Sequence, residues 1–196
     1  TIADLTKVYV TNKANFAALG NEAVTITDAT VSAAQANTIA LATTGVVTAD
    51  VAAGTAASLK AALKNAVATD ELTLTVNGAT ATAADLIALD GKTSVDVIVN
   101  ATEVTGSYDN LATVYNTNKA NFVLGDENIK ITDSTVTAAK LNDVAKYTSG
   151  KVTATLEAAT TINDATVTTT LADVSGTDVI SLTSTETTAD ATALVA

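Results

Sequence analysis

Four short stretches of the chain alternate apolar and polar residues with a period of two. Val24 and Ile26 alternate with Thr25 and Thr27, Leu72 and Leu74 with Thr73 and Thr75, Val95 and Val97 flank Asp96, and Ile129 and Ile131 flank Lys130. Successive side chains of a strand point to opposite faces, so this spacing predicts strands with one apolar and one solvated face. Valine, isoleucine and threonine also favour extended backbone. Further strands are expected over 46–51, 152–156 and 179–182. A helical stretch follows each strand after a short turn. Ser32, Thr82 and Thr137 stand where a hydroxyl can accept from the free N–H groups of a first helical turn, which predicts helices over 33–42, 83–90 and 138–147. Gly45, Gly91 and Gly150 come next, where a helix end favours a residue tolerant of positive φ. More helices are expected over 56–66, 107–122 and, by repeat equivalence, 3–16.

The chain repeats itself. Residues 5–16 (LTKVYVTNKANF) are restated at 111–122 (LATVYNTNKANF), and 20–35 (GNEAVTITDATVSAAQ) at 125–140 (GDENIKITDSTVTAAK). The offset is about 105 residues. A weaker copy from Leu72 to Ala84 halves this into units of about 50 residues, each made of two strand–helix halves. We divide the chain into the tail of a preceding unit (1–23), three units (24–71, 72–128 and 129–178) and the start of a further one (179–196).

A helical crossover joins strands that run the same way, so alternating strands and helices predict a mainly parallel sheet. A doubly wound domain would bury both faces of that sheet and show unbroken apolar strands. The alternating strands favour an α/β solenoid-like array with helices on one face, wound right-handed as such crossovers are. Its core is expected to hold Val24, Ile26, Leu72, Leu74, Val97, Ile129 and Ile131 from strands, with Ile39, Leu86, Leu89, Leu141 and Val144 from helices. Tyr9, Tyr115, Phe16 and Phe122 form repeat-equivalent pairs, expected to pack in the core or between repeats rather than to stack on a sugar. Asn77 and Asn100 follow apolar-x-apolar-x-x runs, as do the buried turn-satisfying asparagines of leucine-rich repeats.

Composition narrows the function. Hydrophobic residues make up 47% of the 196 but aromatics only 3%, so the core is thin and built from small aliphatic side chains. Threonine and alanine each supply about a fifth of the chain, a bias that accompanies repetition. The net charge is −11 and every basic residue is lysine. No basic patch exists to neutralise phosphates or an anionic membrane, and no apolar run approaches the ~20 residues of a membrane span. Methionine is absent, which leads us to expect a processed or excised piece of a longer protein.

His, Cys, Arg and Trp are missing too. That removes the usual general base, the thiol nucleophile, the guanidinium clamp and much of zinc chemistry. No phosphate loop, dinucleotide fingerprint or nucleophile elbow occurs, and no catalytic or cofactor-binding residue is assigned. Calcium is the one cofactor with candidates: Asp28, Asp126, Glu127 and Asp133, carboxylates near strand ends, with Glu22 the repeat partner of Glu127. Calcium takes six to eight oxygens, often from several acids on one loop, and these acids are sparse. We read Asp28 and Asp133 instead as strand-end residues that cap turns. Recurrent Thr-x-Thr pairs (Thr25/Thr27, Thr73/Thr75, Thr153/Thr155) suit the solvated face of a strand, and Asp96 and Lys130 interrupt any ice-binding ladder.

The stretch 20–35 and its copy resemble the Thr/Ala-rich repeats of very large secreted or cell-surface bacterial proteins, above all those of marine cyanobacteria, often grouped with type I-secreted adhesins. The resemblance spans most of the chain and implies an extracellular structural or adhesive role. Together with the composition it leads us to expect a non-catalytic structural or assembly segment of a surface layer, fibre or adhesin stalk, whose partners are copies of itself or adjacent repeats met end to end, in a filament. A calcium- or glycan-binding module of a secreted adhesin is the alternative.

Overall fold

A computed structural model describes residues 1–159 and 171–184. The expected units 129–178 and 179–196 therefore lie partly outside the described residues. The chain is a mixed α/β protein with parallel sheets. Its strands are β1 (Val24–Thr25), β2 (Val47–Asp50), β3 (Glu71–Thr73), β4 (Thr75–Thr82), β5 (Val97–Gly106), β6 (Phe122–Val123), β7 (Asn128–Ile131), β8 (Val152–Ala159) and β9 (Val179–Ser184). Its α-helices are α1 (Ile2–Thr6), α2 (Ala33–Ala42), α3 (Ala56–Ala62), α4 (Ala83–Asp90), α5 (Tyr108–Ala112) and α6 (Ala138–Ala145).

Strand order follows chain order. One sheet runs β1-β2-β3 and the other β4-β5-β7-β8-β9, with β6 beside β5. Among the described residues every strand pair is parallel, and paired residues are 23 to 26 positions apart. The two sheets touch through the parallel bridge Gly54↔Val76 and the bond from the Ile98 N–H to the Leu74 carbonyl, 2.9 Å. Apolar positions meet in register: Val24 with Val47, Ala49 with Leu72, Val76 with Val99, Val104 with Ile129, and Ile129 with Val152. One sheet face is therefore apolar along its length and packs with the helices into a single core. All twelve residues expected in that core are buried.

The caps explain where the helices start. Ser32, Thr82 and Thr137 accept from the backbone N–H of Gln35, Asp85 and Lys140, and Gln35 closes a capping box on Ser32. Thr55 and Ser107 do the same for α3 and α5. The helix ends differ from expectation. α3 and α6 stop at Ala62 and Ala145. The segments 3–16 and 107–122 are not single helices: α1 and α5 widen into π-turns at Lys7–Thr11 and Thr113–Thr117, then tighten into 3-10 turns at Lys13–Asn15 and Lys119–Asn121. Asn12 and Asn118, at φ −109° and −106°, mark the break in both copies. Such bridge-region backbone interrupts helical hydrogen bonding.

The glycines also serve another purpose than expected. Positive φ occurs at Ala18, Gly20 and Gly78, not at Gly45, Gly91 or Gly150. Gly45 and Gly150 are close-approach positions. A Cβ there would sit 2.2 Å from the Glu22 carbonyl oxygen and 2.5 Å from that of Glu127, which lie just ahead of β1 and β7 in the preceding row.

Candidate functional site

The polar chemistry of the chain is concentrated between successive strand–helix rows. Thr43, Thr93 and Thr148 stand just ahead of a strand and reach back one row. The Thr43 hydroxyl donates to the Glu22 carbonyl at 2.7 Å and accepts from the Gly45 N–H at 3.0 Å. Thr148 repeats both bonds with Glu127 and Gly150, each partner 105 positions on, at 2.7 and 2.8 Å. Thr93 donates to the Leu72 carbonyl at 2.8 Å and accepts from the N–H of Leu72 and Val95 at 3.0 and 3.1 Å. A hydroxyl both donates and accepts, so one threonine side chain closes a turn and ties it to the row before.

Carboxylates and amides serve the same end. Asp70 accepts from Val47 N–H at 2.9 Å and from Val67 N–H at 3.0 Å; Asp178 accepts from Val152 at 2.6 Å and Ser175 at 2.7 Å. On the helix side, Asn37 accepts from Asn65 N–H at 2.7 Å. Its repeat partner Asn142 accepts from Asp173 N–H and donates to the Asp173 carboxylate, both at 2.8 Å. Among the described residues no buried side-chain nitrogen or oxygen lacks a partner.

The four calcium candidates fall within this network. Asp28 accepts from Ile2 N–H at 2.5 Å and Asp133 from Tyr108 N–H at 2.6 Å, so each caps the helix one row back. Asp126 accepts from the Ser149 hydroxyl at 2.6 Å. Glu127 is buried and accepts from Gly125 N–H at 2.8 Å and from the Tyr115 hydroxyl at 3.4 Å. Asp126 and Glu127 are chain neighbours, yet no group of three or more acidic side chains converges among the described residues.

Tyr115 is buried and stacks on Tyr147, ring centroids 5.9 Å apart and 3° from parallel. Burial pushes its hydroxyl well above the usual phenol range, and the Glu127 charge adds to this. Tyr9 is raised in the same way by burial and by Glu22. The Glu22 carboxyl is held below its ordinary range, chiefly by the Gly20 N–H. Phe122 is buried, but its repeat partner Phe16 is exposed, contrary to expectation. Asn77 and Asn100 are exposed register partners on β4 and β5, not buried turn residues, because both fall on the open face of the sheet.

Two grooves of about 350 and 320 Å³ open at the helix-to-strand turns. One is floored by Thr93, Ser94 and Val95, the other by Thr43, Thr44 and Gly45. They are repeat-related and share the bracketing threonines. Among the described residues no helix is long and apolar enough to cross a membrane. No protein-family model, curated protein or solved structure matches the chain. The threonine brackets are the functional-class residues that sequence reasoning missed. The signal was the recurring Thr-Thr-Gly, Thr-Ser-Val and Thr-Ser-Gly at 43–45, 93–95 and 148–150.

Proposed function

We propose that the chain is a segment of a right-handed α/β solenoid and acts as a non-catalytic structural element of a secreted or cell-surface bacterial protein, of the surface-layer, fibre or adhesin-stalk kind. The observation that carries this reading is the near-constant offset of 23 to 26 residues between paired strands laid down in chain order. Each row bonds to its sequence neighbours, so stability is close to a sum of row and nearest-neighbour terms, and length is adjustable by adding rows. The polar residues that would otherwise be candidates for chemistry are engaged in row-to-row bonds. The net charge of −11 keeps such an array soluble. The extracellular assignment follows from the resemblance of 20–35 and 125–140 to the repeats of giant surface proteins.

Antibodies raised against the purified chain test this on the source bacterium. Staining of intact, unpermeabilised cells or of the culture medium is expected. Signal confined to the cytosol contradicts it. Calorimetric titration with calcium separates the structural element from a calcium-dependent module: no heat and no change in melting temperature on chelation are expected, since a ligand of the folded state would raise that temperature.

A further inference from the structure

The internal repeat supplies its own control for what each surface is meant to face. Phe122 pairs with Val97 of β5 and is 6% exposed, while its repeat partner Phe16 is 48% exposed. Leu111 on α5 and Val114 in the π-turn after it are fully buried; α5 packs against β5 and α4, and the π-turn against α4. Their partners Leu5 and Val8 are only half-buried. β7 is paired on both sides, by β5 and β8, and the Thr132 N–H donates to the Gly106 carbonyl at 2.8 Å. β1, the repeat partner of β7, ends its sheet, and the N–H of Thr27, the partner of Thr132, donates to no carbonyl among the described residues. In each comparison the second copy has the row of β5 and α4 before it, and the first copy has no such row among the described residues.

We infer that the outer edge of β1, with Phe16, Leu5 and Val8, is a docking surface for one further parallel strand of the β5 pattern, supplied by another copy of the repeat. This rests on the array reading and adds partner, register and chemistry to it. An unpaired strand edge offers a row of free backbone groups that a parallel strand completes, while alternate side chains set specificity. The repeat fixes the register. The position equivalent to Val97 lies beside Phe16, the one equivalent to Val104 beside Val24, and the carbonyl equivalent to that of Gly106 accepts from Thr27 N–H. The Gly106–Ser107 junction also fixes the connection, since Thr1, like Ser107, is a helix N-cap.

The test uses the full chain with a copy of residues 92–106 placed directly before Thr1. A scrambled 92–106 extension is the control, and each chain is made with and without Phe16→Ser. The native extension is expected to raise the melting temperature by about 4 °C or more and to slow amide exchange at Thr27, with Phe16→Ser removing most of that gain while barely moving the unextended chain. Unchanged exchange at Thr27, equal protection by the scrambled extension, or an equal effect of Phe16→Ser on both chains overturns the proposal. The array reading has a separate test, lengthening of the molecule on internal duplication of residues 24–128. A chain that lengthens on duplication but gains no protection at Thr27 would leave the array standing and sink the docking surface.

Discussion

Thr93 and Leu72 exchange a reciprocal pair of hydrogen bonds across adjacent rows. The Thr93 hydroxyl receives the Leu72 N–H at 3.0 Å and donates to the Leu72 carbonyl at 2.8 Å. A side chain thus supplies what a neighbouring strand would supply, at the point where pairing of β3 gives way to the turn before β5. Thr93 is 4% exposed, so water cannot replace the bond. Thr93→Val keeps the shape and removes the hydroxyl, leaving the Leu72 and Val95 N–H groups unpaired. We expect a loss of about 2 kcal/mol in denaturant unfolding, the penalty of an unsatisfied buried donor, and recovery of most of it in Thr93→Ser. A Val variant as stable as the parent would mean the bracket is incidental.

Gly45 and Gly91 should respond oppositely to alanine. A Cβ on Gly45 meets the Glu22 carbonyl oxygen at 2.2 Å, so the row must shift away from its neighbour. Gly91 has φ −70° and nothing nearer than 3.7 Å. We expect Gly45→Ala to cost about 2 kcal/mol or more, as overpacking does. Gly91→Ala should be neutral or stabilising by about 0.5 kcal/mol through a stiffer unfolded chain. Thermal melts of the two variants measure this, and equal effects would refute the close-approach role of Gly45.

Alkaline unfolding should report on Tyr115. Its folded-state pKa is raised above the ordinary phenol value of about 10. A raised folded pKa gives stability that is fully present below the unfolded pKa and is lost as pH climbs past it. Stability is therefore expected to fall above about pH 10. Tyr9, Tyr108 and Tyr147 are raised as well, but Tyr115 is the one pushed furthest. Tyr115→Phe should flatten the alkaline limb, at a constant loss at neutral pH of about 1 kcal/mol for the bond to Glu127. An alkaline limb unchanged by the substitution would show that Tyr115 does not set it.

The sequence made the apolar half of this architecture legible. Period-two alternation located Val24, Ile26, Leu72, Leu74, Ile129 and Ile131, and hydroxyls ahead of apolar runs located the starts of α2, α4 and α6. Both signals are local, and both survive packing. What stayed hidden depends on contacts about 23 residues away. Nothing near Thr93 announces that its partner is Leu72, and Gly45 looks like a helix-end glycine until the Glu22 carbonyl is seen against it. The segments 3–16 and 107–122 carry a helical pattern that widens into π-turns and stops at Asn12 and Asn118, a choice that propensity alone does not force. Spacing marks Asp28 and Asp133 as turn caps but does not name the residues they cap, Ile2 and Tyr108, which lie one row back. The exposure of Phe16 went unforeseen because its copy Phe122 has a neighbouring strand and Phe16 has none among the described residues.

The repeat makes the proposed array directly measurable. Inserting a second copy of residues 24–128 after Asn128 joins Asn128 to Val24, the repeat partner of Ile129, so the junction is repeat-equivalent, and it adds four rows. Neighbouring strands lie about 4.8 Å apart, so small-angle scattering should show the longest dimension growing by about 19 Å at constant cross-section. Growth in the cross-section instead, or a duplicated chain that fails to fold, would contradict an open array of nearest-neighbour rows.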